Sequence, residues 1–564
     1  MARRRLLPVL PALTLAVMLG PVVAGLAGAI GPAFGHLPAA GADGPSPAPF
    51  RALFDWPGLG AAVRLSVTTG LAATAVSLGI VALVCAGWSG TRSFRALERL
   101  LSPLLSVPHA AAAFGIAFLI APSGWIARAL SPWLTGWERP PDLLIVQDPL
   151  GIALTLGLIV KEVPFLLLMT IAAMAQVRVQ QSLIVAEALG YHRVRGWLLT
   201  VFPAVYRQIR LPVYVVLAYS MTVVDVAVIL GPNTPATLSV QIVRWMSHPD
   251  LMFRLQAASG ALLQLALVLG ALGLWRLAEI AVARLGLRMA ESGRRGRLGG
   301  AARGAGLGLG MVSAMAVLLG IAGLAVWSVA GPWSFPDVLP DRLTDRSWMR
   351  HGAMAADSLG VTALIAGVAT LIALVLSLGC LEAEYRHGLR LTSRSLVLLY
   401  LPLLVPQVAF LPGLQSLLIT AGAADGLWPV ILAHVVFVLP YVFLSLGDPF
   451  RAWDPRYGQV ATALGAGPDG VLWRVRLPML LRPVLTAAAV GMAVSVGQYL
   501  PTLLIGGGRV ATLTTEAVAL AAGGDRRAIG VYGLMQTAAA LLPFAVALAV
   551  PALVWRNRRG LRHG

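Results

Sequence analysis

The stretch that decides the fold occurs twice in this chain. The first copy reads Ile184-Val-Ala-Glu-Ala-Leu-Gly190 and continues to Phe202-Pro203, and the second reads Gln459-Val-Ala-Thr-Ala-Leu-Gly465 and continues to Leu477-Pro478. The offset that places Gly190 on Gly465 also places Pro203 on Pro478, so the copies align without a gap. Because the agreement extends past the loop into the next apolar segment, it indicates an internal duplication.

Each copy predicts a helix, a glycine turn and a second helix. Alanine and leucine favour the first helix, and Gly190 or Gly465 can end it in the left-handed conformation. We expect the second helical piece to end near Pro203 or Pro478, because proline removes a backbone donor. A short projecting unit of this kind, held between two apolar segments, can dock into a soluble partner.

The composition places the chain in a membrane. Of its 564 residues 58% are hydrophobic and only 12% are charged, with a mean hydropathy of +0.81. The net charge of +19 does not predict nucleic-acid binding, because the basic residues cluster at the ends of apolar spans, as in cytoplasmic loops of membrane proteins. The two cysteines, Cys85 and Cys380, do not suggest a disulfide framework.

The apolar runs predict an all-α polytopic membrane protein with about twelve transmembrane helices. We expect residues 1–290 to form a first half, 291–304 a basic cytoplasmic linker, and 305–564 a second half. The repeated loops, at about 176–208 and 448–482, fall on the cytoplasmic side in this arrangement. An even number of spans per half makes the two six-helix repeats parallel and leaves both termini in the cytoplasm.

The first apolar run has two interpretations. Arg3, Arg4 and Arg5 precede a run that ends near Ile30, which is a pattern shared by cleaved signal peptides. An uncleaved span is favoured because the second half has a counterpart at about Leu307–Ala330.

The chain lacks the residues for ATP hydrolysis. A phosphate-binding loop needs Gly-Lys followed by Ser or Thr, and the single lysine, Lys161, lies between Val160 and Glu162. The histidines have no metal-ligand spacing, and no pair of nucleophile and base stands out. We therefore expect that the chain is not an enzyme and that any ATPase is a separate polypeptide.

Polar residues inside the predicted spans are the remaining candidates for function. They are Lys161, Glu162, Asp225 and Gln498. Isolated charges in a bilayer are costly, so these residues need partners or water. Two alternatives stay open: Lys161 and Asp225 form a buried ion pair, or these residues line a translocation pathway. Pro164 also leaves the carbonyl of Val160 without its helical donor.

The repeated loop resembles the cytoplasmic "EAA" loop of ABC importer permeases, in which Glu-Ala-Ala is followed by Gly, an apolar residue and Pro. In that family the loop forms a coupling helix that docks into the ATPase subunit. The chain departs from the family at Ile184 and Gln459, which occupy the usual glutamate position, and Glu187 lies three residues further on. The resemblance implies a coupling role for Ala186, Glu187, Ala188, Leu189, Gly190, Pro203, Gln459, Ala461, Ala463, Leu464, Gly465 and Pro478.

The resemblance covers most of the chain and implies a permease of an ATP-driven importer with two fused halves, similar to ferric iron, thiamine and YnjC-like permeases. It implies two copies of an ABC ATPase, which would bind ATP and Mg, and a periplasmic or lipid-anchored solute-binding protein. It also implies the bacterial inner membrane, with no nucleic-acid partner and no cofactor on this chain. The alternative is an ion-coupled secondary transporter with parallel six-helix repeats. That alternative offers no reason for two loops with a shared Gly-to-Pro spacing.

Overall fold

A computed structural model describes residues 7–293, 295, 299–389 and 392–556. Arg3, Arg4 and Arg5, together with part of the predicted linker, lie outside the described residues. The described chain is almost entirely helical, which confirms the predicted all-α class. Its small sheet is one antiparallel hairpin, β1 (His36–Leu37) and β2 (Ala42–Asp43).

The helices before the linker include long spans and short connecting pieces. They are α1 (Leu10–Ala33), α2 (Ala48–Phe54), α3 (Leu59–Trp88), α4 (Arg92–Leu104), α5 (His109–Ile120), α6 (Trp125–Leu130), α7 (Ile152–Met174), α8 (Val179–Ala188), α9 (Arg193–Thr200), α10 (Phe202–Thr222), α11 (Asp225–Leu230), α12 (Leu238–Met246) and α13 (Met252–Glu291).

The helices after the linker follow a similar order. They are α14 (Gly299–Val329), α15 (Arg346–His387), α16 (Ser393–Leu404), α17 (Gln407–Thr420), α18 (Trp428–Arg451), α19 (Pro455–Ala463), α20 (Pro468–Val471), α21 (Leu477–Met479), α22 (Leu481–Val496), α23 (Leu500–Ile505), α24 (Leu513–Ala521) and α25 (Arg526–Val554). A π-helical turn, Leu472–Arg476, joins α20 to α21.

Nine helices among the described residues are long and apolar enough to cross a membrane, or up to eleven if each of two bent pairs counts as one span. The sequence predicts about twelve. One predicted span, which corresponds to helix α10, is absent from this count because Arg207 and Arg210 shorten its apolar run.

The helix bounds repeat with the same offset as the sequence. The offset between Gly190 and Gly465 also relates the first and last residues of α11 to those of α23, and those of α12 to those of α24. The N-termini of α12 and α24 are held in the same way. Ser66 Oγ accepts a hydrogen bond from the backbone N–H of Leu238 in α12, and Thr362 Oγ1 accepts one from the backbone N–H of Leu513 in α24. The duplication therefore extends from sequence to local hydrogen bonding. The division of the chain into halves that end at residue 290 and begin at residue 305 stays a prediction.

Four spans that the hydropathy pattern presents as continuous are interrupted. The apolar runs Leu101–Ala121 and Leu396–Thr420 each predict one continuous span, but the structure breaks them between α4 and α5 and between α16 and α17, and α16 and α17 are bent by 84°. The apolar runs that end at Gly231 and at Ile505 also each predict one span, but the structure breaks them before α11 and before α23. Hydropathy does not detect these breaks because the residues at them are themselves largely apolar.

The two halves are joined by an exchange of their first helices. Helix α1 packs against α17 of the second half, and α14 packs against α5 of the first half. Both crossings are built on glycine, since a Cβ at Gly28 would lie 2.6 Å from the carbonyl oxygen of Gly413, and one at Gly115 would lie 2.7 Å from the backbone of Gly320. Only glycine permits backbones to approach so closely. Because of this packing α1 is part of the bundle, as expected for an uncleaved span.

The glycine crossing can be tested within one helix. Gly28→Ala should lower the free energy of unfolding by about 1–3 kcal/mol, because the new methyl group collides with backbone that cannot move aside. Gly20→Ala is the matched control, since a Cβ there has no neighbour within 4 Å. Unfolding of the purified chain in detergent measures both variants. Equal stability of the two would contradict the close crossing.

Candidate functional site

The four interrupted spans meet around one cavity of about 320 Å³. Residues at every break line it: Val107 and Pro108, Val223 and Val224, Val405 and Pro406, and Gly497 and Gln498. Pro108 and Pro406 explain two of the breaks, because the residue before a proline is driven out of the helical conformation. Non-helical backbone at this depth is tolerated where protein surrounds it or where it lines a cavity.

The sequence-predicted polar residues Lys161, Glu162, Asp225 and Gln498 all line this cavity. The first three are buried, although they come from two different helices, α7 and α11. Asp225 is the first residue of α11, immediately after the break in its span. The structure thus brings together the four residues that the sequence could only list.

Lys161 does not pair with Asp225 in the part of the chain that the structure describes. Its ammonium group donates instead to two backbone carbonyls at the end of α4, at 3.2 Å to Leu104 O and 2.6 Å to Val107 O. The break in the helix leaves the Val107 carbonyl without a helical donor, and the Leu104 carbonyl accepts from Val107 N–H as well as from Lys161, so backbone dipoles stabilise the ammonium group. Of the two alternatives, the Lys161–Asp225 ion pair is not formed among the described residues, and a role of these residues in a translocation pathway stays a prediction.

Pro164 leaves the carbonyl of Val160 without its helical donor, and another residue supplies a donor in its place. Ser313 Oγ on α14 donates a hydrogen bond of 3.1 Å to the carbonyl of Val160. The donor comes from the other half of the chain, 153 residues away in sequence. The loosened turn beside Lys161 and Glu162 is thus held by the exchanged helix.

The two halves contribute different chemistry to the cavity. The charged residues Lys161, Glu162 and Asp225 come from the first half, and the equivalent positions of the second copy hold Val436, Phe437 and Leu500. The second half adds hydroxyl and amide groups, from Gln407, Tyr441, Ser445, Gln498 and Tyr499. The residues from the first half thus include the charged groups, and those from the second half are neutral and partly aromatic.

Sequence reasoning missed His109 and the tyrosines of this site. His109 begins α5, its ring lies 4.8 Å from that of Tyr219 between centroids, and its Nδ1 has no partner among the described residues. Tyr219, Tyr441 and Tyr499 line the cavity together. Because each is a single aromatic residue in an apolar run, no local signal distinguishes it from a lipid-facing tyrosine.

A buried histidine holds the break in the second half. His434 of α18 contacts Ser495 Oγ through Nδ1 at 2.8 Å and Thr502 Oγ1 through Nε2 at 2.9 Å. These hydroxyls lie on either side of the break between α22 and α23. In the first half the equivalent position is Ile159, and Ser220 Oγ has no partner among the described residues. The two broken spans are therefore held differently.

Both repeated loops form the predicted helix, glycine turn and helix. Gly190 and Gly465 have φ of +82° and +86°, which confirms the left-handed caps. In each copy the glycine N–H donates to the carbonyl three residues back, Glu187 or Thr462, and the next N–H donates to Ala186 or Ala461. This is the Schellman motif, which satisfies the last carbonyls of the helix.

The two prolines take different places relative to the second helical piece of each loop. In the first copy α9 already ends at Thr200, and Pro203 lies in the first turn of α10, where a missing N–H costs nothing. Pro478 likewise lies in the first turn of α21. Helix α20, the π-helical turn and α21 run without a gap from Pro468 to Met479, so the helical piece of the second copy ends beside Pro478 as predicted, whereas Pro203 begins α10.

Each repeated loop presents an apolar pair at the same register. Val185 and Leu189 are 60% and 58% exposed, and Val460 and Leu464 are 61% and 83% exposed. Ile184, at the position of the family's glutamate, is 63% exposed. Glu187, Ala188, Gln459 and Ala463 are also exposed, whereas Ala186 is buried. The exposed apolar side chains form two matching surfaces.

The loops are attached to the helical bundle by unlike contacts. In the first loop the buried Trp197 packs against Phe202, at 5.8 Å between ring centroids. In the second loop Arg476 is buried, pairs with Glu382 at 2.7 Å and lies over the ring of Tyr385 at 3.6 Å. Arg476 replaces Val201 of the first copy. A charged, aromatic contact thus holds the second loop where apolar packing holds the first.

Comparison with known proteins identifies the family. Residues 375–554 match the model of the binding-protein-dependent transport system inner membrane component. The chain is 32% identical to the inner membrane ABC transporter permease protein YnjC of Escherichia coli over 91% of this chain and 92% of that protein. The chain belongs to the family of ABC transporter permeases.

Shorter relatives match part of the chain. The permease is 31% identical to the molybdenum transport system permease protein ModB of Mycobacterium tuberculosis over 36% of this chain and 85% of that one. It is 26% identical to the spermidine/putrescine transport system permease protein PotC of Haemophilus influenzae over 28% of this chain and 57% of that one. No solved structure matches. The family is one of transport permeases, not enzymes, and its multi-pass members lie in the inner membrane.

The role of Lys161 can be tested by substitution. Lys161→Met should lower the free energy of unfolding by about 1–3 kcal/mol, because it removes the donor of the Val107 carbonyl and one of the two donors of the Leu104 carbonyl. Adding Asp225→Asn should not restore stability, since the two side chains are not paired. Detergent unfolding of both single variants and the double variant measures this. Recovery in the double variant would show that the ion pair forms after all.

His434→Leu should destabilise the permease by about 1–3 kcal/mol, because it leaves the buried hydroxyl of Ser495 without its partner and leaves Thr502 with only its hydrogen bond to the Gln498 carbonyl. Ser495→Ala and the corresponding double variant complete a double-mutant cycle. Ile159→Leu, at the equivalent position of the first half, is the matched control. If His434→Leu and the control unfold at the same temperature, His434 does not hold the break.

Proposed function

We propose that this permease forms the translocation pathway of an ATP-driven importer and couples it to separate ATPase subunits through the two repeated loops. The observation that carries the proposal is the matching pair of exposed apolar surfaces beside Gly190 and Gly465. Exposed apolar side chains grouped on a short helix mark a protein interaction site. Two equivalent surfaces suit two copies of one partner.

The coupling would act through rigid connections. Helix α8 follows directly after α7, which carries Lys161 and Glu162, and α19 follows α18, which carries Tyr441 and Ser445. After the loops, α10 and α22 lead to two of the four breaks. When ATP binding draws two ATPase subunits together, the docked loops move with them and the helices that line the cavity change their separation. This would switch the cavity between inward- and outward-facing states.

The remaining parts of the proposal follow from the family. ATP and Mg bind to the partner ATPase, and a periplasmic or lipid-anchored binding protein delivers the solute on the opposite side. The chain lies in a bacterial inner membrane with both termini in the cytoplasm. Relatives named for a polyamine, for molybdenum and for 2-aminoethylphosphonate do not select one solute. Family membership favours this proposal over an ion-coupled secondary transporter.

The docking role can be tested at the second glycine turn. Gly465→Val should reduce ATPase recovery at least about fivefold, because a β-branched residue strains the left-handed cap and displaces Leu464. The measurement is pull-down of the ATPase subunit from membranes with equal permease levels. Gly467→Val is the matched control, since Gly467 has φ of −71° and open space around its Cα.

The first loop gives a second measurement. Gly190→Val should weaken ATPase recovery by a different factor, because Ile184 stands where the second copy has Gln459 and because the loops are attached by different contacts. Full recovery of the ATPase with both glycine variants would argue against docking through these loops.

A further inference from the structure

The charge of the central cavity points to the class of solute that it accepts. We propose that the cavity selects a small organic cation, held by the carboxylates of Glu162 and Asp225 and by the rings of the surrounding tyrosines. The inference rests on the proposed transport function, since it names the solute class of the same pathway. It uses the charges, contacts and size of the cavity.

The charge balance of the cavity is opposite to that of the chain. The whole chain carries +19, but the described residues that line the cavity include two carboxylates, one lysine and no arginine. The lysine is engaged by the carbonyls of Leu104 and Val107. Neither carboxylate forms a salt bridge among the described residues. The formal charges of Lys161, Glu162 and Asp225 sum to −1, which a positive solute would balance.

The carboxylates share the cavity with aromatic side chains. Tyr219 and Tyr499 line the same cavity as Glu162 and Asp225. Phe165, Phe437, Tyr441 and Phe544 complete an aromatic lining. Tyrosine and phenylalanine rings attract cations over their faces, most strongly where water is excluded. This lining suits an amine or quaternary ammonium with an apolar body better than a compact, strongly hydrated ion.

The size of the cavity limits the solute. At about 320 Å³ it is at the small end of ligand sites, which span roughly 300–1,000 Å³. A small amine fits this volume. Polar groups on the opposite wall, from Gln407, Ser445 and Gln498, can accept hydrogen bonds from its N–H groups.

A thiol placed in the cavity can report its charge selectivity. Ser445→Cys is introduced into the full-length chain with Cys85→Ala and Cys380→Ala, in lipid nanodiscs. The thiol is treated with a trimethylammonium-ethyl or a sulfonato-ethyl methanethiosulfonate, and each rate is divided by that for a free thiol in solution. The ratio of the normalised rate for the cationic reagent to that for the anionic reagent should be about 10, because a cleft lined by one sign of charge concentrates ions of the opposite sign.

Charge variants should change this ratio in stated directions. Asp225→Asn and Glu162→Gln should each reduce it at least about threefold, and Lys161→Gln, which keeps an N–H donor for the two carbonyls, should raise it. Glu279→Gln is the matched control, because that carboxylate pairs with Arg210 at 3.2 Å and does not line the cavity. A ratio at or below one, or equal effects of Glu279→Gln and Asp225→Asn, would overturn the proposal.

A second measurement uses the chain with Cys85 and Cys380 unchanged, so it does not depend on the Ser445→Cys variant. Choline and putrescine should raise the unfolding temperature of the full-length chain and sulfate should not, with the effect lost in Asp225→Asn. Stabilisation by sulfate, or by none of these probes, would count against a cation site. A cation-selective cavity in a chain that recovers no ATPase would contradict only the importer function. Normal ATPase recovery with an anion-selective cavity would contradict only the solute class.

Discussion

Backbone groups that leave a helix inside a membrane must find partners within the protein, because lipid supplies none. This requirement governs the centre of the permease. Four spans are interrupted there, and their breaks share one cavity. Lys161 supplies donors for the carbonyls of Leu104 and Val107, and Ser313 supplies one for Val160. Since Lys161 serves the backbone, the nearby carboxylates are left to face the cavity.

The exchange of α1 and α14 between the halves makes this shared cavity. Each exchanged helix crosses the span that begins after a break, α17 or α5, at a contact between glycines. Such crossings hold the breaks of the two halves against each other across the cavity. They also explain how a hydroxyl of the second half reaches a carbonyl of the first.

Duplication has left the geometry of the two halves alike and their chemistry different. The helix bounds and the Schellman motifs repeat, yet the charges of the cavity belong to the first half. The second half carries His434 at its break and Arg476 at its loop, where the first has Ile159 and Val201. The two exposed apolar surfaces of the loops are thus connected, through α7 and α18, to cavity residues of unlike polarity.

The sequence by itself determined the membrane class, the repeat, the glycine turns at Gly190 and Gly465 and the list of polar residues in the spans. These features depend on neighbours within a few positions, since hydropathy, helix caps and proline act locally. Only the tertiary structure decided that the spans break around one cavity and that His109 and the tyrosines join it. It also decided that Lys161 binds carbonyls more than fifty residues away and not Asp225. Such contacts depend on how distant helices pack, and neither periodicity nor spacing along the chain specifies that packing.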